Sequence, residues 1–108
     1  MDRESKKVLL ICLGGMSSSL MAKNTNLFLK KQGYDITIDA VASTVDDRIF
    51  ASDAYNLILI SPQIRMKYDV FKRRAEKYGK KIVKVPIDSY APIESSIANL
   101  TRLILENL

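Results

Sequence analysis

Two hydrophobic rhythms take turns along this chain. Lys7 to Cys12 is an almost unbroken apolar run, as expected of a parallel strand buried on both faces. From about Ser18 to Gln32 the period becomes helical, with Leu20, Met21, Leu27 and Phe28 along one side and Gly33 as the stop. Ile36, Ile38 and Ala40 then alternate with polar neighbours, which suits a half-exposed edge strand. Ser43 and Thr44 offer N-caps for a short helix, with Asp46 and Asp47 at a spacing like that of a capping box. Leu57 to Ile60 is a second wholly apolar strand, ended by Ser61-Pro62. Ile64, Tyr68, Phe71, Ala75 and Tyr78 keep helical spacing up to Gly79. Ile82, Val83 and Val85 form a fourth strand stopped by Pro86. Pro92 suits the first turn of a last helix with the inward stripe Ile93, Ile97, Leu100 and Ile104.

This alternation predicts an α/β fold, a three-layer sandwich in which a four-stranded parallel sheet lies between helices joined by right-handed crossovers. The polar alternation of the second strand puts it at an edge, and the apolar first and third strands belong in the centre. The order is then 2-1-3-4, flavodoxin-like with one strand fewer, in a single domain spanning residues 1–108. In such sheets the ligand crevice opens at the carboxyl ends of the two strands beside the switch point, here the first and third. Cys12 and the segment after it fall on one side of that crevice, and Ser61-Pro62-Gln63 on the other.

Composition narrows the chemistry. Nothing approaches the ~18 apolar residues of a membrane span, and no leader-like order of charge, apolar core and cleavage site opens the sequence. The expectation is a cytoplasmic protein without direct membrane insertion. Histidine is absent and Cys12 is the one cysteine. That excludes serine–histidine and cysteine–histidine dyads, a phosphohistidine on this chain, histidine- or thiolate-rich metal sites and an internal disulfide. No metal and no cofactor are expected.

The net charge of +5 is concentrated between Arg65 and Lys84. Such a run is first of all a solvated helix face, and it also suits an acidic or phosphorylated partner. No helix-turn-helix, zinc finger or RNP signature accompanies it, so no nucleic-acid partner is expected.

Cys12 ends the first strand and is followed by Leu13-Gly14-Gly15-Met16-Ser17-Ser18-Ser19. Free cysteine is among the most buried residue types, so packing is one reading of it. The segment supplies the other, a P-loop-like phosphate loop after the first strand. Gly14 and Gly15 permit positive φ, so that successive N–H groups can converge on one point. The three serines add hydroxyl donors where a helix begins and its dipole favours an anion. Such donors stabilise a thiolate nucleophile and then the oxygens of a transferring phosphoryl group. The residues thus argue for a cysteinyl-phosphate intermediate.

Two families share this arrangement. The low-molecular-weight tyrosine phosphatases and related arsenate reductases carry Cys-x5-Arg-Ser here, and Ser18 stands where their arginine would. Serine lacks the planar fork that grips phosphate, and no clear Asp-Pro acid is present. The loop more closely resembles that of the IIB component of the bacterial sugar phosphotransferase system, lactose/cellobiose (chitobiose) type, which reads approximately Cys-x-x-Gly-Met-Ser-[Ser/Thr]-Ser. Leu59-Ile60-Ser61-Pro62-Gln63-Ile64 is similar to that family's apolar strand and Gly-Pro-Gln turn, with Ser61 in place of glycine. Val85-Pro86-Ile87-Asp88 resembles its last strand and turn, although Asp88-Ser89-Tyr90-Ala91-Pro92 lacks the usual tyrosine-glycine turn.

The resemblance implies a protein-cysteine-phosphate sugar phosphotransferase. Cys12 would take a phosphoryl group from a phosphorylated IIA protein and pass it to a sugar bound by the membrane IIC permease. Leu13, Gly14, Gly15, Met16, Ser17, Ser18 and Ser19 would bind the phosphoryl group. Gln63, Arg65 and Tyr90 are candidates for the rim, Arg65 against the competing reading of an exposed charge and Tyr90 against one of packing. Two other functions fit the residues alone, a phosphatase-like hydrolase and a non-catalytic phosphate-binding regulatory module.

Overall fold

A computed structural model describes residues 5–13, 16–91 and 93–108, with the side chains of residues 16–18 left aside. The expectations for Gly14, Gly15 and Pro92, and for the side chains of Met16, Ser17 and Ser18, lie outside the described residues.

The elements follow in the expected order. They are β1 (Lys6–Cys12), α1 (Met16–Lys31), β2 (Ile36–Ala42), α2 (Asp47–Ala51), β3 (Leu57–Ile60), α3 (Tyr68–Lys77), β4 (Ile82–Lys84) and α4 (Glu94–Asn107). Two 3-10 segments, Pro62–Lys67 and Ile87–Ser89, follow β3 and β4. All strand pairs are parallel and the sheet order is β2-β1-β3-β4, as the hydrophobic pattern required.

The central strands explain themselves. Val8, Leu10 and Cys12 of β1, with Leu57 and Leu59 of β3, face Met21 and Ala22 of α1 and Leu100 and Ile104 of α4. The alternate residues Leu9, Ile11, Ile58 and Ile60 face Phe50 of α2 and Phe71 and Ala75 of α3. Burying each such aliphatic side chain contributes about 1.5–3 kcal/mol, and strands buried on both faces collect this at every position. The two clusters are the two interfaces of a three-layer sandwich.

Edge strand β2 is guarded from α1. The Asn26 side chain donates to Ile38 O at 2.9 Å and accepts from Ile38 N at 2.7 Å, covering backbone groups that no strand pairs. Gly33 and Gly79 end α1 and α3 with φ of +85° and +68°, a conformation that glycine adopts without a Cβ penalty.

Three local expectations are corrected. The inward stripe of α1 is Met21, Ala22, Thr25 and Leu29, whereas Leu20 and Leu27 are exposed. Small residues allow α1 to lie close to the sheet, so its larger apolar side chains do not mark the buried face. The cap of α2 is Asp46, not Ser43 or Thr44. Its carboxylate accepts from Arg48 N at 2.9 Å and pairs with the Arg48 guanidinium at 2.8 Å, which holds it well below the usual carboxylate range. Ile93 stands before α4 and is exposed, so the stripe of that helix begins at Ile97.

Candidate functional site

Sheet register brings the two sides of the crevice together. Ile11 pairs with Ile60, and the next residue on each strand is Cys12 or Ser61. Ser61 N donates to Ile11 O at 3.0 Å, extending the ladder by one step. Side chains alternate along a strand, so Ser61 shares the face of Leu57 and Leu59, which is also the face of Cys12. Both residues are fully buried. The Cys12 thiol also makes a contact of 4.0 Å with Leu10 O.

Tyr90 reaches the same point from beyond β4. It ends the 3-10 turn Ile87–Ser89, its N–H donating to Ile87 O at 3.2 Å. Asn99 of α4 ties that turn down through a bond of 3.1 Å to Asp88 O. The half-buried Tyr90 ring packs against the cluster that contains Cys12. Burial raises the phenol above its ordinary range, a hydrogen bond with Cys12 raises it further, and the Ser61 hydroxyl pulls the other way. The Tyr90 hydroxyl also donates to Gln63 Oε1 at 3.4 Å, a long and weak bond.

The Ser61 hydroxyl stands apart. Although close enough to influence Tyr90, it makes no hydrogen bond of ordinary geometry among the described residues. Ser61 also holds the N-cap position of the 3-10 segment Pro62–Lys67 without capping it through its side chain.

The expected residues are therefore partly assembled. Tyr90 and Ser61 lie beside Cys12, and Tyr90 alone links that point to Gln63, which is exposed on the 3-10 segment. Arg65 is exposed on the 3-10 segment. Leu13 and Ser19 are exposed, and the backbone of Met16, Ser17 and Ser18 forms the first turn of α1. Sequence reasoning named Ser61 only as facing the loop. The signal that singles it out is register, since the residue after β3 must stand beside the residue that ends β1.

Part of the basic run is structural. Arg74 donates to Asp47 and to Val45 O, both at 2.8 Å, and its guanidinium lies 4.6 Å from the centre of the Phe50 ring. Lys80 donates to Tyr55 O at 3.2 Å, and the Lys84 ammonium lies 4.9 Å from the centre of the Tyr68 ring. These contacts clamp α2, α3 and β3. Lys67, Lys72, Arg73 and Lys81 remain exposed.

A four-stranded parallel α/β sheet of this order, with a cysteine at its switch point, places the chain among proteins of flavodoxin-like fold. Within that class, the family described as PTS system, Lactose/Cellobiose specific IIB subunit, matches residues 7–98, and the chain belongs to it.

The lactose-specific EIICB component of Streptococcus mutans serotype c is 30% identical over 81 residues, which cover 75% of this chain and 14% of that protein. The corresponding component of Staphylococcus haemolyticus is 28% identical over 99 residues, covering 92% of this chain and 15% of that protein. The chain thus spans about one-seventh of the length of these relatives.

Among solved structures, the lactose-specific IIB component domain from Streptococcus pneumoniae superposes with a TM-score of 0.81 at 26% identity, covering 96% of this chain and 98% of that one. The cellobiose-specific IIB component from Borrelia burgdorferi superposes with a TM-score of 0.75 at 22% identity, covering 98% and 94%, and shares the fold.

Proposed function

We propose that residues 1–108 form one domain, the cysteine-bearing phosphoryl carrier of a phosphoenolpyruvate-dependent sugar phosphotransferase system, acting in the cytoplasm. The observation that carries the reading is the position of Cys12. In a chain of the IIB family, its one thiol ends a central strand at the switch point, beside the hydroxyls of Ser61 and Tyr90. Among the described residues no helix is long and apolar enough to cross a membrane.

The chemistry is two exchanges at one sulfur. The thiol gives up its proton and Sγ attacks the phosphorus of a phosphohistidine on a IIA protein. An S–P bond forms as the N–P bond breaks, and the departing imidazole takes up a proton. In the second exchange a hydroxyl of a sugar held by the membrane IIC permease attacks the same phosphorus. The S–P bond breaks, the sugar oxygen loses its proton and the thiol is restored. The sugar belongs to the lactose, cellobiose or chitobiose class.

Leu13 to Ser19 supply backbone and hydroxyl donors to the phosphoryl oxygens, and no cofactor is needed. These 108 residues hold no histidine, so the phosphohistidine donor of this reading lies outside them. Ser18, where a phosphatase would hold arginine, suits a carrier that must not hydrolyse its cargo.

Cys12 has no solvent exposure in this conformation, so transfer requires the mouth of the crevice to rearrange. Tyr90, held to Gln63 by one long bond and packed against the cluster that contains Cys12, is the side chain this rearrangement would move.

The test is mass spectrometry of the intact chain after incubation with phosphoenolpyruvate, the general phosphotransferase proteins and a IIA protein. The reading predicts a gain of one phosphoryl group, located on Cys12. No gain, or an equal gain in Cys12→Ser, would overturn it.

A further inference from the structure

Ser61 behaves unlike most serines at the start of a helical turn. In the N-cap position a serine hydroxyl ordinarily accepts a bond from a backbone N–H of the first turn, and here it does not. The main chain is pinned on both sides, by the bond from Ser61 N to Ile11 O at 3.0 Å and by the bond from Ile64 N to Ser61 O at 3.2 Å. The side chain is 0% exposed, and its hydroxyl, though near the Tyr90 phenol, makes no hydrogen bond of ordinary geometry among the described residues. A hydroxyl removed from water without a well-formed hydrogen bond is a net cost to a folded conformation. A ligand with acceptor oxygens would reverse that cost.

The register aims Ser61 at Cys12. The two follow the paired residues Ile60 and Ile11 and share the face of the sheet packed against α1 and α4. Tyr90 approaches the same sulfur from the turn after β4, and its phenol responds to both Cys12 and Ser61. Two hydroxyls from two different loops thus converge beside one thiol.

We infer that Ser61 is a phosphoryl-binding residue of the Cys12 site, its hydroxyl and that of Tyr90 donating to the oxygens of the group carried on Sγ. The inference rests on the carrier reading above. Neither hydroxyl reacts or loses its proton; both hold charge that gathers on the phosphoryl oxygens during transfer. Tyr90 exchanges its long bond to Gln63 for a charge-assisted one, and Ser61 gains a hydrogen bond of good geometry.

The experiment uses the full chain with phosphorylated IIA at fixed concentration. It reads the equilibrium occupancy of Cys12, the phosphorus NMR resonance of the cysteinyl phosphate and the thermal midpoint. In Ser61→Ala the midpoint stays level or rises, because an unpaired hydroxyl leaves the interior. The occupancy constant falls about tenfold, as for loss of one hydrogen bond to a charged group, and the resonance moves. Tyr90→Phe lowers occupancy by a similar factor.

If the wild-type chain takes up phosphoryl groups while Ser61→Ala matches it in occupancy and resonance, the inference fails and the carrier reading stands. If the wild-type chain takes up none, the carrier reading fails and the inference falls with it.

Discussion

Tyr55 and Tyr90 stand at opposite ends of the sheet, both partly buried, and their surroundings separate scaffold from site. Tyr55 precedes β3 at the amino end. It donates to Asp39 Oδ2 at 2.8 Å, has the Lys7 ammonium over its ring at 5.7 Å, and receives Lys80 on its carbonyl. Burial, and then the Asp39 carboxylate, push its phenol up to about 12. Tyr90 at the carboxyl end has a bond of 3.4 Å to Gln63, a thiol neighbour and, beside it, a serine hydroxyl with no hydrogen bond of ordinary geometry among the described residues. The first tyrosine is fixed by strong, complete pairing. The second sits where pairing has been left incomplete, and incomplete pairing is what a ligand can finish.

The largest test of this contrast is at the thiol. Cys12→Ser should lose all phosphoryl acceptance while its thermal midpoint stays near that of the wild type, because a serine fills almost the same space. A thermal melt beside an occupancy assay checks both halves. Asp39→Ala should do the reverse. It removes the acceptor of Tyr55 and a half-exposed partner of Lys7, costing about 1–2 kcal/mol in denaturant titration, with phosphoryl acceptance unchanged. A change in acceptance there would erase the division between scaffold and site.

A second buried hydroxyl sharpens the comparison. Thr25 on α1 also has no hydrogen-bond partner among the described residues, but it faces the core rather than the crevice. Thr25→Val should therefore raise stability by about 1 kcal/mol and leave transfer untouched, whereas Ser61→Ala lowers transfer.

Alkaline titration isolates Tyr55. Its folded value of about 12 lies above the ordinary 10.0, so its contribution is intact below pH 10 and is lost as the pH rises through about 12. Tyr55→Phe should lessen that alkaline loss of stability, measured by denaturant titration at successive pH values. The smallest effect belongs to Gln63→Ala, within about 0.5 kcal/mol of wild-type stability, since it breaks only one long bond.

Strand order, and with it the position of the crevice beside Cys12, was legible in the sequence, for one reason. Val8–Ile11 and Leu57–Ile60 are apolar at every position, which only a strand covered on both faces permits, and central strands fix the switch point. The inward stripe of α1 was not legible, because Ala22 and Thr25 carry little hydrophobic signal while the exposed Leu20 and Leu27 carry much. The cap of α2 depends on a local Asp46–Arg48 pairing that competes with the equally suitable Ser43 and Thr44. Tyr90 reaches Cys12 only because the turn Ile87–Ser89 folds it back over the sheet, a long-range contact that no local pattern encodes.

The central claim is that Cys12 holds a phosphoryl group in order to hand it on. Its most direct test follows the fate of that group. The chain is loaded with radiolabelled phosphoryl from IIA, separated from the donor, and mixed with membranes containing a IIC permease and its sugar. The account predicts that label leaves Cys12 for the sugar, and that without sugar it stays on the protein. Label appearing as inorganic phosphate at the same rate with or without sugar would contradict it and make the protein a hydrolase.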